Sequence, residues 1–331
     1  MTSFGNLTGF QKFSLGVGGG LIAASCAIAF MFPPSGTTHA PKASLENFTD
    51  VSVLPVPVSR VESEALPHLK PAFTGLSIAQ VRQQLAYDLE MIRSGDHDVP
   101  RIFLSAIPHD LGDVPETAQR KALFFKSVLP LVLQANEKIL AQRSRLERIN
   151  GEILQSVKPP AADRLWLAMM SDRYKVERDD ISALMHKVDV VPPSLALAQA
   201  AKESGWGMSR FAREGNALFG QWTFDKGNLV PDGRDEDKQH MIKSFETLQD
   251  SVNAYVFNLN THRAYREYRA LRANLRNKNK PLDGRVLAGE LHRYSELGVE
   301  YVNAIRTMIS YNKLNRLDDA RLNIPDTQPE A

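Results

Sequence analysis

The chain has 331 residues, with 40 lysines and arginines against 38 aspartates and glutamates and a formal net charge of +2. At about 150 residues per domain, this length predicts about two globular units. A charge so close to zero argues against a protein whose main partner is nucleic acid, because such proteins usually carry a strong basic excess. The single cysteine excludes an internal disulfide and a cysteine-rich zinc site.

An uncharged apolar stretch near the N-terminus predicts a membrane segment. No charged residue occurs from Phe13 to Thr38, and the apolar run 13–32 just reaches the about 20 residues that cross a bilayer as a helix. We therefore expect a cytoplasmic stub at 1–12 and a transmembrane signal anchor at 13–32, with the rest of the chain outside the cytoplasm. Two alternatives stay open, namely a signal peptide cleaved near Ala40 and a lipoprotein signal that uses Cys26.

The next segments are a tether and a helical region. Seven prolines punctuate residues 33–75, which is typical of a semi-extended spacer. Residues 76–186 are then expected to form a helical N-terminal region. Its apolar periodicity predicts one helix from Ser77 to Gly95, a second from Pro115 to about Gly151 with a kink at Pro130, and two shorter ones at about 162–174 and 180–186.

A slim, alanine-rich helix at 195–203 carries the first candidate for chemistry. Pro192 and Pro193 suit its start, and Gly205 and Gly207 must end it, so Glu203 lies at its C-terminal end. The helix dipole and burial both disfavour an ionised carboxylate there, which raises its pKa and suits a general acid. The alternative is a glutamate that only accepts a hydrogen bond from a backbone donor in the following loop, and placement alone does not decide between the two.

A small β-lobe is expected after this helix. The pattern of residues 208–222 shifts from helical toward strand-like, and later glycines predict a hairpin lobe that ends at about Phe245. Aromatic rings in such a lobe could stack on sugars or belong to the core, and we expect Trp222 to line a groove; the other rings are Trp206, Phe219 and Phe224. Helices are expected again from Thr247 and over about 301–314, followed by a disordered tail at 317–331.

Two motifs carry a family resemblance. The sequences Glu203-Ser204-Gly205-Trp206-Gly207 and Asn216-Ala217-Leu218-Phe219-Gly220, in this order and separation, resemble bacterial cell-wall glucosaminidases of glycoside hydrolase family 73. The wider stretch 192–224 and the segment 258–262 resemble the bacterial Bax branch of that family, and the resemblance extends over about 96–315.

The resemblance implies a mainly α (α+β) fold, with a lysozyme-like helical domain at 187–316 that has a small β-hairpin lobe and a groove. It implies a peptidoglycan hydrolase, an endo-β-N-acetylglucosaminidase that cleaves β-1,4 glycosidic bonds of cell-wall glycan with Glu203 as general acid. The expected location is then the bacterial inner membrane, single-pass, with the catalytic body in the periplasm.

The resemblance also implies further site residues. A second carboxylate is expected in the lobe, which offers Asp232, Asp235, Glu236 and Asp237; Glu236 is the first choice, and the acetamido group of the sugar could replace it as nucleophile. A catalytic tyrosine is expected as well. The family segment Tyr-Ala-Thr-Asp reads Tyr294-Ser295-Glu296-Leu297 here, so we favour Tyr294, with a core tyrosine as the alternative. The expected substrate contacts are Trp206, Asn216, Phe219, Gln221, Trp222 and Tyr301.

Two other functions stay open. A lytic transglycosylase would share the fold and a single glutamic acid, and a catalytically degenerate wall-binding or scaffold protein would share the fold alone. The expected partners are peptidoglycan glycan strands and, through the N-terminal helix, the membrane. No cofactor or metal is expected, since no HExxH pair or phosphate-binding glycine-rich loop occurs, and neither nucleotide nor nucleic acid is an expected ligand.

Overall fold

The computed structural model describes residues 77–223, 229 and 241–324. The predicted stub, anchor at 13–32 and tether lie outside the described residues, as do Cys26, Phe224 and the acidic segment 232–237 with Glu236. Among the described helices, none combines the length and the apolar character needed to cross a membrane.

The N-terminal region is helical. Its elements are α1 (Ile78–Gln84), α2 (Leu89–Ser94), α3 (Thr117–Leu154), α4 (Ala161–Tyr174) and α5 (Ile181–Lys187). The prediction of a single helix from Ser77 to Gly95 is wrong, because Asp88 adopts an extended backbone and caps α2 through a hydrogen bond from the Glu90 N–H. The helix α3 has 38 residues and continues through Pro130.

The second half contains a helical body and a short hairpin. Its elements are α6 (Pro193–Ser204), α7 (Arg210–Gly215), β1 (Trp222–Thr223), β2 (Met241–Ile242), α8 (Leu248–Thr261), α9 (Arg266–Asn277), α10 (Gly284–Leu287) and α11 (Val299–Tyr311). The strands pair antiparallel, with Trp222 opposite Ile242. Residues 210–215 are helical where the sequence pattern had turned strand-like, because Ser209 caps α7 by accepting from the Ala212 N–H.

Helix α6 runs through the centre of the molecule. Its residues 195–201 are all fully buried, and the alanines at 196, 198, 200 and 201 let neighbouring helices approach closely. Helices α3, α10 and α11 pack on it, together with a 3₁₀ turn at Leu314–Leu317. Side chains of the N-terminal region and of the second half belong to one hydrophobic cluster around this helix.

A buried ion cluster joins the two halves at Asp189. The Arg276 guanidinium lies 2.7 Å from this carboxylate, and Arg272 and Arg143 each lie 3.7 Å from it. Burial by itself would raise the pKa of Asp189, but the hydrogen bond from Arg276 and the charges of Arg272 and Arg143 outweigh it and hold the pKa below its usual value. Asp189 is therefore an ionised structural group that links α3 to α9.

The C-terminal segment up to residue 324 is ordered against the core. Leu317 and Leu322 are buried, and the Asn323 N–H donates to the Val99 carbonyl at 2.9 Å. The prediction of a disordered tail from residue 317 is therefore wrong for residues 317–324. Apolar burial and this pairing with the N-terminal region fix the segment in place, and residues 325–331 lie outside the described part of the chain.

Candidate active site at the end of helix α6

The N-terminus of α6 is capped from a distant part of the chain. Its own entry residues, Pro192 and Pro193, provide no side-chain cap. The Asp318 carboxylate takes that place, because it accepts from the Ser194 N–H at 2.8 Å, from the Ser194 hydroxyl at 2.8 Å and from the Gly284 N–H at 3.2 Å. Burial raises the pKa of Asp318 to about 6, although these donors oppose the shift. The C-terminal segment thus fixes the start of the helix that carries Glu203.

The C-terminus of α6 ends in a strained turn at Ser204–Gly207, which we call the helix-end turn. Gly205, Trp206 and Gly207 have φ values of 56°, 62° and 78° in succession. Such a backbone is unfavourable for a tryptophan, at a cost of order 1–3 kcal/mol. The Ser204 hydroxyl holds the turn together, since it donates to the Ala200 carbonyl at 2.6 Å and accepts from the Gly207 N–H at 2.8 Å.

The N-terminal region packs against the helix-end turn and holds its strained backbone in place. The Trp206 ring makes edge contacts with Phe124 and Phe125, at centroid separations of 6.0 Å and 5.3 Å, and the Lys121 ammonium lies 4.6 Å from its centroid. A Cβ at Gly207 would come within 3.3 Å of Phe124. Trp206, which was expected to contact substrate, is therefore packed by helix α3 and fixes the direction in which Glu203 leaves the helix.

Glu203 has the environment of a carboxyl group that stays protonated near neutral pH. Burial raises its pKa to about 7, while a hydrogen-bonding interaction with the Tyr301 hydroxyl and the charge of Lys202 lower it. Its Oε1 atom is buried and has no hydrogen-bond partner among the described residues. Among the described residues the causes of the Glu203 pKa shift are burial, the Tyr301 hydroxyl and Lys202, and no backbone hydrogen bond is among them, so the alternative of a loop-capping glutamate is not supported.

A chain of three buried polar side chains leads to Glu203. The Tyr255 hydroxyl donates to Gln199 Oε1 at 2.7 Å, and Gln199 Nε2 donates to the Tyr301 hydroxyl oxygen at 2.8 Å. Gln199, Tyr255 and Tyr301 are all at most 1% exposed. We call these three residues the buried polar chain; it joins α8 and α11 to α6 beneath the acid.

Tyr301, rather than Tyr294, is the tyrosine that the structure brings to Glu203. Tyr294 stacks on Tyr301 with a centroid separation of 5.4 Å and an interplanar angle of 11°, and its hydroxyl donates to the Phe219 carbonyl at 3.2 Å. It is only 4% exposed. This is the geometry of the alternative given above, a core tyrosine bonded to a backbone group.

The remaining predicted contacts fall into two groups. Phe219 is 1% exposed and stacks on Tyr255 at 3.9 Å, so its ring is closed to a ligand. Asn216 donates to the carbonyls of Phe245 and Glu246, and Gln221 donates to the Ala254 carbonyl, so both amides tie the lobe to the helical body. Trp222 is partly exposed on β1, and its contact with substrate stays a prediction.

Sequence reasoning did not identify Gln199, Tyr255 or Asp318. Gln199 lies one helical turn before Glu203 on the same face, so the spacing did hold a signal. Tyr255 reads as one of the apolar positions of its helix, and nothing local reveals the partner of its hydroxyl. Across residues 77–223 and 241–324, no group of three His, Cys, Asp or Glu side chains is arranged to hold a metal ion.

Comparison with known proteins identifies the family. The sequence model for glucosaminidases, described as mannosyl-glycoprotein endo-beta-N-acetylglucosaminidase, matches residues 178–314. Over 215 residues the chain is 34% identical to Protein bax of Escherichia coli strain K12, which covers 63% of this chain and 75% of that protein. No solved structure matches the chain. The glucosaminidase domain supports a glycoside hydrolase-like enzyme. The chain therefore belongs to the Bax-type family of glucosaminidase-domain proteins.

Proposed function

We propose that the protein is an endo-β-N-acetylglucosaminidase that cleaves β-1,4 glycosidic bonds of peptidoglycan, with Glu203 as the general acid. The observation that carries this proposal is the state of Glu203. Its pKa is raised to about 7 by burial at the end of a central helix, inside the glucosaminidase domain. A carboxyl group with such a pKa holds a proton at neutral pH and can still release it, which is the requirement for a general acid.

In the proposed reaction Glu203 transfers its proton to the glycosidic oxygen as the bond to the anomeric carbon breaks. The carboxylate that forms is stabilised by the Tyr301 hydroxyl and the Lys202 ammonium, the two groups that lower the pKa of Glu203. Both interactions strengthen as negative charge develops on the acid, so they favour the proton-transfer step over the resting state.

The group that attacks the anomeric carbon stays a prediction. We propose Glu236 in this role, since glycosidases commonly use two carboxylates. If Glu236 acts there, Glu236→Gln should lower kcat by at least about 10²-fold, while Asp232→Asn in the same segment should not. Full activity of Glu236→Gln would instead leave Asp235, Asp237 or the acetamido group of the substrate as the attacking group.

The test of the proposed function is product analysis of digested peptidoglycan by mass spectrometry. Hydrolysis at the proposed bond yields reducing N-acetylglucosamine ends. Anhydro-muramic ends would instead show a lytic transglycosylase, and a protein that binds walls but releases no sugar would be a scaffold. Either of those results would overturn the proposal.

Two substitutions test whether Glu203 is the general acid. Glu203→Gln should lower the rate about 10²–10⁴-fold, because the amide cannot donate the proton. The matched control is Glu214→Gln, which makes the same chemical change at an exposed residue of α7 and should keep the wild-type rate. A Glu203→Gln protein that cleaves walls as fast as wild type would remove Glu203 from this role.

We also propose that the segment 13–32 anchors the protein in the inner membrane with its body in the periplasm. Protease added to spheroplasts should then degrade the body, while the same protease should leave it intact in unbroken cells. The mass of the protein recovered from membranes distinguishes an uncleaved anchor from cleavage near Ala40 and from lipid attachment at Cys26. Protection of the body in spheroplasts would contradict the proposal.

A further inference from the structure

We propose that Gln199 and Tyr255 are positioning residues that fix the direction of the hydrogen bonds in the buried polar chain, so that Tyr301 donates its hydroxyl proton to Glu203. Neither Gln199 nor Tyr255 makes a direct hydrogen bond to Glu203 among the described residues, so both act through Tyr301. The proposal rests on the proposed role of Glu203 as the general acid.

The direction of the chain follows from the number of protons available. The Gln199 Nε2 group can only donate, so the Tyr301 oxygen, 2.8 Å away, must accept from it. The single hydroxyl proton of Tyr301 cannot point back toward that group. It is therefore directed to another acceptor, and Glu203 is the acceptor with which the Tyr301 hydroxyl interacts.

Tyr255 keeps the Gln199 amide from turning over. Its hydroxyl proton goes to Gln199 Oε1 at 2.7 Å, and among the described residues this hydroxyl makes no other hydrogen bond. If the amide turned, its oxygen would face Tyr301 and take the Tyr301 proton, and Glu203 would lose its donor. Tyr255 is fully buried and stacked on Phe219 at 3.9 Å, so it is held firmly in the position that prevents this reversal.

Among the described residues, few other charged or titratable groups surround Glu203. Lys202 on the same helix lowers the pKa of Glu203, and its ammonium lies 5.7 Å from the centre of the Tyr301 ring. From the packed elements, α8 contributes Tyr255 and α11 contributes Tyr301, while Tyr294 stacks behind Tyr301. Burial raises the pKa of Tyr255 and of Tyr301 well above the ordinary value, so both hydroxyls keep their protons near pH 7. The direction of the Tyr301 proton is therefore set by hydrogen-bond geometry rather than by a nearby charge change.

The experiment is a titration of the Glu203 carboxyl by ¹³C NMR in the full chain solubilised in detergent, with the Glu203→Gln spectrum used to assign the signal. In Tyr255→Phe the amide can turn whenever Glu203 is neutral, which stabilises the neutral form. The titration midpoint should therefore rise by about 0.5–1 pH unit. Tyr301→Phe removes the donor directly and should raise the midpoint by at least as much.

A double-mutant cycle shows whether Tyr255 acts through Tyr301. In the Tyr301→Phe background, Tyr255→Phe should cause no further shift, since the group that transmits its effect is gone. The matched control is Tyr174→Phe, because the Tyr174 hydroxyl is also buried and also donates to a glutamine oxygen, that of Gln142 at 3.3 Å, but has no part in this chain. Tyr174→Phe should leave the midpoint unchanged.

The proposal can also be tested by NMR on the wild-type protein, so that the result does not depend on whether a variant folds. The hydroxyl-proton resonance of Tyr301 should move downfield with the same midpoint as Glu203, because a carboxylate is a stronger acceptor than a neutral carboxyl. The proposal would be overturned if the Tyr301 proton resonance did not change as Glu203 titrates. It would also be overturned by additive shifts in the double-mutant cycle, or by an unchanged Glu203 midpoint in a folded Tyr255→Phe protein. These readouts do not use catalysis, so a failure of the proposed function, seen as full activity of Glu203→Gln, is recognised separately.

Discussion

Two carboxyl groups in the same core have pKa values that are shifted in opposite directions. Asp189, at the joint between the N-terminal region and α9, has three arginines around it, and its pKa lies below the usual value. Glu203, at the end of α6, has no ion pair among the described residues, and its pKa is raised to about 7. Burial opposes ionisation at both sites, so the difference arises from the partners. Three close arginines keep Asp189 ionised. At Glu203 the Tyr301 hydroxyl and the charge of Lys202 do not offset burial, which leaves a carboxyl group that can act as a proton donor.

Asp318 is a third carboxyl group in this core. It is half-buried, and its partners are the backbone and hydroxyl donors of Ser194 and Gly284. Its pKa is raised to about 6, in the same direction as that of Glu203. Neutral donors therefore offset part of the cost of burying a carboxylate, and only the arginines around Asp189 reverse it.

The largest effect is expected for Asp189→Asn. The substitution leaves the fully buried Arg272 without its counter-charge, and loss of one partner of a buried pair costs about 3–5 kcal/mol of unfolding free energy. Urea unfolding at pH 7 measures it. The matched control is Asp172→Asn, whose pair with Arg178 spans 3.5 Å on the surface and should change stability by less than about 0.5 kcal/mol. Equal losses in the two variants would contradict the assigned role of Asp189.

The next effect is the pH dependence of stability in Glu203→Gln. The Glu203 pKa is raised from 4.5 to about 7 on folding, so the wild-type protein loses stability as the pH rises through this interval. The Gln variant has no such dependence. Its stability relative to wild type should therefore rise by about 3 kcal/mol between pH 4 and pH 8, as measured by urea unfolding at both values. A difference that stays constant with pH would show that Glu203 is not perturbed.

Asp189 should show the opposite sign. Its lowered pKa contributes stability that is present above the ordinary aspartate value and is lost as the pH falls through the folded value. The cost of Asp189→Asn should therefore shrink in acid, and unfolding at pH 3 measures this change. A cost that grows in acid would reverse the comparison between the two carboxylates.

A smaller effect is expected for Asp318→Asn. The amide keeps one acceptor for the donors at the start of α6, so the cost at pH 5 should be about 1 kcal/mol. Because the Asp318 pKa is raised from 3.8 to about 6 on folding, the wild-type protein loses stability as the pH rises through this interval. The cost of the substitution should shrink or change sign at pH 8. Unfolding at the two pH values decides this, and a cost that grows with pH would contradict the assignment.

The smallest effect is expected for Lys202→Met. The Lys202 charge lowers the pKa of Glu203, so its removal should raise the Glu203 titration midpoint by a few tenths of a pH unit. Lys121→Met is the matched control, since Lys121 lies over Trp206 and is not among the groups that shift Glu203. A downward shift in Lys202→Met would show that the two side chains do not interact as described.

Local sequence signals located the end of helix α6, where Glu203 lies, but not the groups around it. The prolines before α6 and the glycines after it define the helix that ends near Glu203, and both signals lie within one turn of their effect. The groups that set the state of Glu203 come from elsewhere, since Tyr255 is on α8 and Tyr301 on α11. Asp318 caps α6 across 124 positions of sequence. Such pairings depend on how helices pack, and no periodicity encodes them.

The same reasoning explains why the segment 77–95, which was predicted to be a single helix, forms the two helices α1 and α2. The apolar positions of α1 and α2 keep a single helical spacing, and Val81, Leu85, Leu89 and Ile92 are all buried as expected. The break occurs because the Asp88 side chain accepts a hydrogen bond from the Glu90 N–H at 2.8 Å and starts a new helix. Periodicity predicts which face is buried, whereas a capping side chain decides where a helix begins.

The central claim is that Glu203 holds a proton at neutral pH because its carboxyl group is buried without an ion-pair partner among the described residues. The most direct test is the ¹³C NMR titration of its carboxyl in the wild-type protein, assigned with Glu203→Gln. We expect a midpoint at about pH 7. A midpoint at or below 4.5, the ordinary value for a glutamate, would contradict the claim.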